Sequence, residues 1–165
     1  MPLGADAWQV SNSILVCWSR NVFKHILIAT DGSELGEKAT AQGLGLASEL
    51  KAQVLAVVVA EPWMTSGGHL PPPSVIETYE KAAAENADRI TSRVVEAAKK
   101  NDVACSALHL WGKHPAEGIL EAATKNGCDL IVMASHGRRG LERILLGSVA
   151  TEVLVRSTIS VLICR

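Results

Sequence analysis

A chain of 165 residues has the length for one hydrophobic core, because two would each need most of that length to bury enough apolar surface. Its net charge of -1 leaves no electrostatic footprint for nucleic acid or anionic lipid, and no apolar run approaches the ~20 residues that span a bilayer. Cys17, Cys105, Cys128 and Cys164 show neither CxxC nor zinc-ligand spacing, which fits buried thiols in a reducing compartment, the cytoplasm, better than a disulfide framework. Residues 1–20 carry Asp6 and lack the basic start of a secretory signal, so they do not read as an export address.

Past residue 22, strand-like and helix-like segments alternate. Lys24 to Thr30 is a short apolar run ended by Asp31-Gly32, and it reads as strand one. Ser33 caps a helix over Leu35–Leu50, with Leu35, Ala39, Leu46 and Leu50 near helical spacing. Gln53 to Ala60 is almost wholly apolar, as a strand buried on both faces of a parallel sheet should be. Glu61 to Pro73 holds Pro62, Gly67-Gly68 and three successive prolines and reads as a surface loop. Ile76, Tyr79, Ala83, Ala87, Ile90, Val94 and Ala97 then recur every three or four residues, which predicts one amphipathic helix over Ser74–Asn101.

Val103 to Leu110 alternates as a third strand. A helix opens at His114-Pro115, with proline in the first turn that tolerates it, and runs to about Lys125 before Gly127. Asp129 to Ala134 is a fourth strand, buried by its composition. A polar turn, a helix from about Leu145 to Ser157 and a fifth strand from Ile159 to Cys164 complete the order. Such alternation predicts an α/β domain with an open parallel sheet and helices on both faces, joined by right-handed crossovers.

In such sheets ligands bind beyond the carboxyl ends of the strands, where the strand order reverses. The turns to read are therefore Thr30-Asp31-Gly32-Ser33 after strand one and Ala134 to Ser148 after strand four. The second runs Ala134-Ser135-His136-Gly137-Arg138-Arg139-Gly140, then on to Gly147-Ser148-Val149. Glycines there let backbone N–H groups approach an anion closely, and a helix N-terminus adds unpaired donors and a favourable dipole. Gly147-Ser148 would supply one amide and one hydroxyl donor. Spacing alone leaves a second reading open, in which Gly137 and Gly140 are turn glycines and Gly147 eases helix packing. Gly43-Leu44-Gly45 lies inside the first helix and is a packing feature, and there is no GxxxxGK[ST]. Arg138 and Arg139 either screen phosphate or form a solvated pair. His136 reads as a histidine hydrogen-bonding within its turn. Neither a GxSxG elbow nor a zinc spacing at His109 and His114 supports catalysis.

The run Ile26 to Ser33, together with Asp129 to Gly137 and Gly147-Ser148, resembles the universal stress protein family over residues 23–165. The resemblance implies a five-stranded sheet of order 3-2-1-4-5, Rossmann-like and akin to the adenine nucleotide alpha hydrolase-like folds, which brings the two turns together. The family's ATP-binding branch has a glycine, two residues, a glycine, nine residues, then glycine and Ser/Thr. Gly137, the spacer Arg138 to Leu146, and Gly147-Ser148 match, while Ala134 stands at the first glycine position. By position, Asp31 resembles the aspartate at the adenine and ribose end, or it is a turn-forming carboxylate before glycine at a strand end, and Val58 resembles the second-strand residue whose main chain borders adenine. Gly112, after strand three, is either the edge of the nucleotide site or a plain turn glycine.

The implied ligand is ATP, with ADP or AMP as alternatives and Mg²⁺ accompanying the phosphates. The last strand, Ile159 to Cys164, lies at a sheet edge without charge, proline or glycine, and such an edge has a partner. The resemblance implies a homodimer in which that strand pairs with its copy. Residues 1–21, with Trp8 and Trp18, fall outside the match and read as a flexible arm or a start-site artefact; the domain spans 22–165. The leading reading is a nucleotide-binding stress or signalling module; a slow ATP hydrolase and a nucleotide-free dimeric interaction protein are the alternatives.

Overall fold

The computed structural model describes residues 22–61, 72–137 and 146–165. The apolar runs become strands β1 (His25–Ala29), β2 (Gln53–Ala60), β3 (Cys105–Trp111), β4 (Leu130–Ala134) and β5 (Ser160–Cys164). Between them lie helices α1 (Glu34–Leu50), α2 (Pro73–Lys100), α3 (Pro115–Lys125) and α4 (Ser148–Arg156). All pairings are parallel and the order is β3-β2-β1-β4-β5. The strand order therefore reverses at β1, whose neighbours are β2 and β4, and the exits of β1 and β4 open side by side.

Side-chain alternation divides the core between the two faces of the sheet. Leu27, Leu55, Val57, Ile131 and Met133 pack with Ile119 and Ala123 of α3 and with Ala150 and Val153 of α4. On the opposite face Ile26, Ile28, Val54, Leu130 and Val132 pack with Ala39, Leu44 and Ala47 of α1 and Ala98 of α2. Gly43 is where α1 rests on the sheet: a Cβ there would lie 2.8 Å from Ile28 Cδ1 and 3.3 Å from Val132 Cγ1. Gly45 faces open space, so the packing role belongs to the first glycine of that pair.

Most boundaries differ from expectation by one residue at most, and two elements start later by two or three residues. β3 starts at Cys105 and runs through Trp111, because the Val103 N–H is taken by the Ala98 carbonyl at 3.0 Å in closing α2. α4 starts at Ser148, because the Gly147 N–H closes a turn on the Ser135 carbonyl at 2.8 Å instead of joining the helix ladder. Cys128 and Cys164 are buried and Cys105 half-buried, all three as free thiols, while Cys17 lies outside the described residues. Burial, followed by the charge of neighbouring Asp129, pushes the Cys128 thiol up to about 11, which keeps it protonated and inert. Among the described residues no helix is long and apolar enough to cross a membrane.

Candidate functional site

The turn after β1 is organised by its own side chains. Gly32 sits at φ +73, its N–H donating to Thr30 Oγ1 at 3.2 Å. The Ser33 N–H donates to Asp31 Oδ1 at 3.0 Å, and Ser33 Oγ accepts the Gly36 N–H at 3.1 Å, which caps α1. A Cβ on Gly32 would meet Ile90 of α2 at 2.8 Å, so the turn is seated beneath that helix. The Asp31 carboxylate is wedged between two glycines: a Cβ would lie 2.8 Å from Oδ1 if built on Gly36, and 2.9 Å from Oδ2 if built on Gly137. Gly137 is thus a glycine at least partly because the exit of β1 presses a carboxylate against it.

The turn after β4 meets that carboxylate and then α4. Ser135 is buried, its N–H bonded to the Cys164 carbonyl at 2.8 Å, and its hydroxyl lies 3.1 Å from His136 Nδ1. His136 Nε2 is buried with no partner among the described residues. Gly147 is the residue preceding α4, and a Cβ on it would stand 3.1 Å from the Ser135 carbonyl oxygen. The Gly147 amide, expected as an anion donor, is already taken by the Ser135 carbonyl. The first bond of α4 runs from the Thr151 N–H to the Gly147 carbonyl at 2.9 Å. The amides of Ser148, Val149 and Ala150 consequently have no acceptor within the helix, and they carry the positive end of its dipole.

A cavity of about 770 Å³ joins these turns, a volume in the range of small-molecule sites. Thr30, Asp31, Ala134, Ser135, His136, Gly137, Gly147, Ser148 and Val149 all line it. Gly32, Ser33 and Gly112 do not: the first two shape the β1 turn, and Gly112, at φ +75, donates its N–H to the Ala60 carbonyl at 3.2 Å. Arg138, Arg139 and Gly140 lie outside the described residues. Ala134 has no positive φ; it ends β4 opposite Cys164, and its methyl packs with the cluster of Leu130, Val132 and Cys164. Its side chain is accommodated by the core on the α1 face of the sheet.

The far end of the cavity is formed by Val57 to Glu61 and by Tyr79, Ala82, Ala83, Asn86 and Ile90 of α2. In a parallel ladder the N–H and C=O of one residue turn to the same neighbouring strand, and successive residues turn to opposite sides. The Val57 carbonyl accepts from the Thr30 N–H at 3.1 Å, toward β1, and the Ala60 carbonyl accepts from Gly112, toward β3. Val58 therefore directs its peptide groups to β3, while Val59 directs its own to the β1 side. Pairing with β1 ends at Ala29 opposite Val57, so the Val59 N–H and C=O face the room that β1 has left. The main chain that borders this end is that of Val59, with the Val58 side chain contributing to the wall beside Ala87 and Ile90.

Among the described residues no group of three or more His, Cys, Asp or Glu is placed to hold a metal ion. His114, also in the cavity wall, has its Nδ1 3.5 Å from Glu152 Oε2.

Fold and cleft define an open α/β domain with a glycine-bearing turn and a helix N-terminus at the switch point of its sheet. The universal stress protein family matches residues 23–165, and the chain belongs to that family. Universal stress protein MJ0531 of Methanocaldococcus jannaschii is 35% identical over 158 residues, 96% of this chain and 91% of that one. The structure of universal stress protein UspA from Lactobacillus plantarum superposes with a TM-score of 0.77 at 21% identity, covering 86% of this chain and 97% of that one. Two further structures share the fold: a universal stress protein in complex with cAMP, with a TM-score of 0.66, 22% identity, and 87% and 98% coverage; and one from Archaeoglobus fulgidus in complex with dAMP, with a TM-score of 0.59, 22% identity, and 87% and 99% coverage.

Proposed function

We propose that this universal stress protein binds an adenine nucleotide, ATP by preference, along the cavity that joins the two turns. The observation that carries the reading is the pairing of chemistries at its two ends. At one end are helix-terminal amides without intrahelical acceptors, beside the Ser148 hydroxyl and Gly137. At the other is the donor and acceptor pair of Val59, set among apolar side chains. Phosphates suit the first end. An adenine edge, with its N1 acceptor and N6 donor, suits the second. The ribose then spans the β1 exit beside Asp31, and Mg²⁺ would accompany the phosphates and offset their charge. The adenylates bound to the two structural relatives noted above support the ligand class.

The reading includes a homodimer. β5 is an edge strand of the sheet, and Leu162 on it and Leu154 and Val155 on α4 are exposed, so a second copy laid along β5 would cover both the open edge and these side chains. Calorimetric titration of the full chain with ATP, ADP and AMP tests the nucleotide. Saturable binding with ATP tightest is expected, and no saturation at millimolar nucleotide would remove the reading. Sedimentation equilibrium tests the dimer independently.

A further inference from the structure

The inner stripe of α2 changes character along its length. Toward the C-terminal end Ala87, Ile90, Thr91, Val94 and Ala98 are buried. Toward the N-terminal end Tyr79, Ala82, Ala83 and Asn86 continue the stripe at three- and four-residue spacing, but they line the cavity opposite β2. Two of those positions are alanine, which leaves room beside the helix. One, Asn86, carries a primary amide, half-buried on the wall of the cavity.

The orientation of that amide is fixed by its neighbour. Arg89 Nη2 donates to Asn86 Oδ1 at 2.9 Å, and because a guanidinium has no acceptor, the amide must turn its oxygen toward it. The two Nδ2 hydrogens have no partner among the described residues. Tyr79, the other polar side chain on this part of the wall, directs its hydroxyl to the Glu61 carbonyl at 3.4 Å. Asn86 thus accepts from Arg89 at its oxygen and presents its donor end on the α2 wall of the cavity.

We infer that Asn86 determines base specificity by donating from Nδ2 to N7 of a purine. The inference rests on the nucleotide reading above. With Val59 engaging N1 and N6 and the ribose leaving from N9 toward Asp31, two ring acceptors remain. N3 sits beside the ribose bond, whereas N7 stands clear of it. Pyrimidines lack any counterpart of N7, and guanine inverts the donor and acceptor that face Val59. Asn86 accordingly selects purines, and Val59 selects adenine among them.

Calorimetry with ATP and 7-deaza-ATP, on the wild-type chain and Asn86→Ala, separates this from the broader reading. The wild type should bind 7-deaza-ATP about five- to tenfold more weakly than ATP, the size of one net hydrogen bond. The variant should bind both equally, at the weaker level. Equal affinity in the wild type, or undiminished discrimination in Asn86→Ala, would overturn the role of Asn86 while leaving nucleotide binding intact. A wild-type chain that binds neither compound would overturn both. Alanine favours a helix at this position, and circular dichroism verifies that the variant is folded.

Discussion

The two ends of the cavity are built by different means. The proposed phosphate end is made of turns and a helix terminus: Ser135, Gly137 and Gly147 bring the β4 exit against Asp31 on one side and against α4 on the other. The proposed base end is made of regular structure, with the last residues of β2 facing the inner stripe of a long helix. A turn must use special residues to hold its shape, so it leaves marks in a sequence. A wall of helix and strand uses mostly the residues that any core would use, and its proposed function lies in where a neighbouring strand stops and in one polar side chain among them.

The largest expected effect comes from placing charge at the phosphate end alone. Ser148→Glu sets a carboxylate at the first position of α4, where the helix dipole welcomes it, but beside the proposed phosphates, where like charges cost several kcal/mol. ATP affinity should fall at least about 100-fold with the melting temperature unchanged or raised. An unchanged affinity would detach the phosphates from this helix.

Gly43→Ala is the control that separates fold from site. It forces a methyl to within 2.8 Å of Ile28 Cδ1 and should cost about 1–3 kcal/mol in denaturant unfolding. The affinity of the protein that remains folded should not change; a large affinity loss would mean that the cavity follows global packing rather than its two local ends.

Next in size is the contact between the β1 and β4 exits. Gly137→Ala puts a methyl 2.9 Å from Asp31 Oδ2 and should destabilise by about 1–2 kcal/mol. Combined with Asp31→Ala it should show a coupling of about 0.5 kcal/mol or more in a double-mutant cycle. Simple additivity would mean that the carboxylate does not set the position of Gly137.

The smallest effect sharpens the same comparison. Because the Ala134 methyl packs toward the core and its φ is not positive, Ala134→Gly should change ATP affinity less than about twofold and cost a little stability in the strand. A large gain in affinity would show that the methyl crowds the phosphates.

The same contrast explains what could be read in advance. Alternating apolar runs and punctuating glycines indicated the element order, and the two marked turns do meet at the switch point. The family resemblance supplied the strand order. His136 does hydrogen-bond within its turn. The commitment of the Gly147 amide to Ser135 was hidden, because a hydrogen bond inside a turn depends on how the chain closes rather than on composition. Val58 and Val59 are chemically alike, and which one faces the gap follows from ladder phase and from where β1 stops, neither of which is written in Val-Val-Val. Ala83 and Ile90 were visible as helix periodicity, but a core stripe and a cavity wall share one period, so Asn86 drew no notice.

Two-dimensional NMR of the ¹⁵N-labelled chain titrated with ATP tests the central claim most directly, since it observes both ends in one experiment. The account predicts that the Val59 amide and the Ser148, Val149 and Ala150 amides shift together along one saturable isotherm, while amides of β3 distant from the cavity, such as Ser106, stay in place. Shifts confined to one end, or no saturable shift at either, would contradict it.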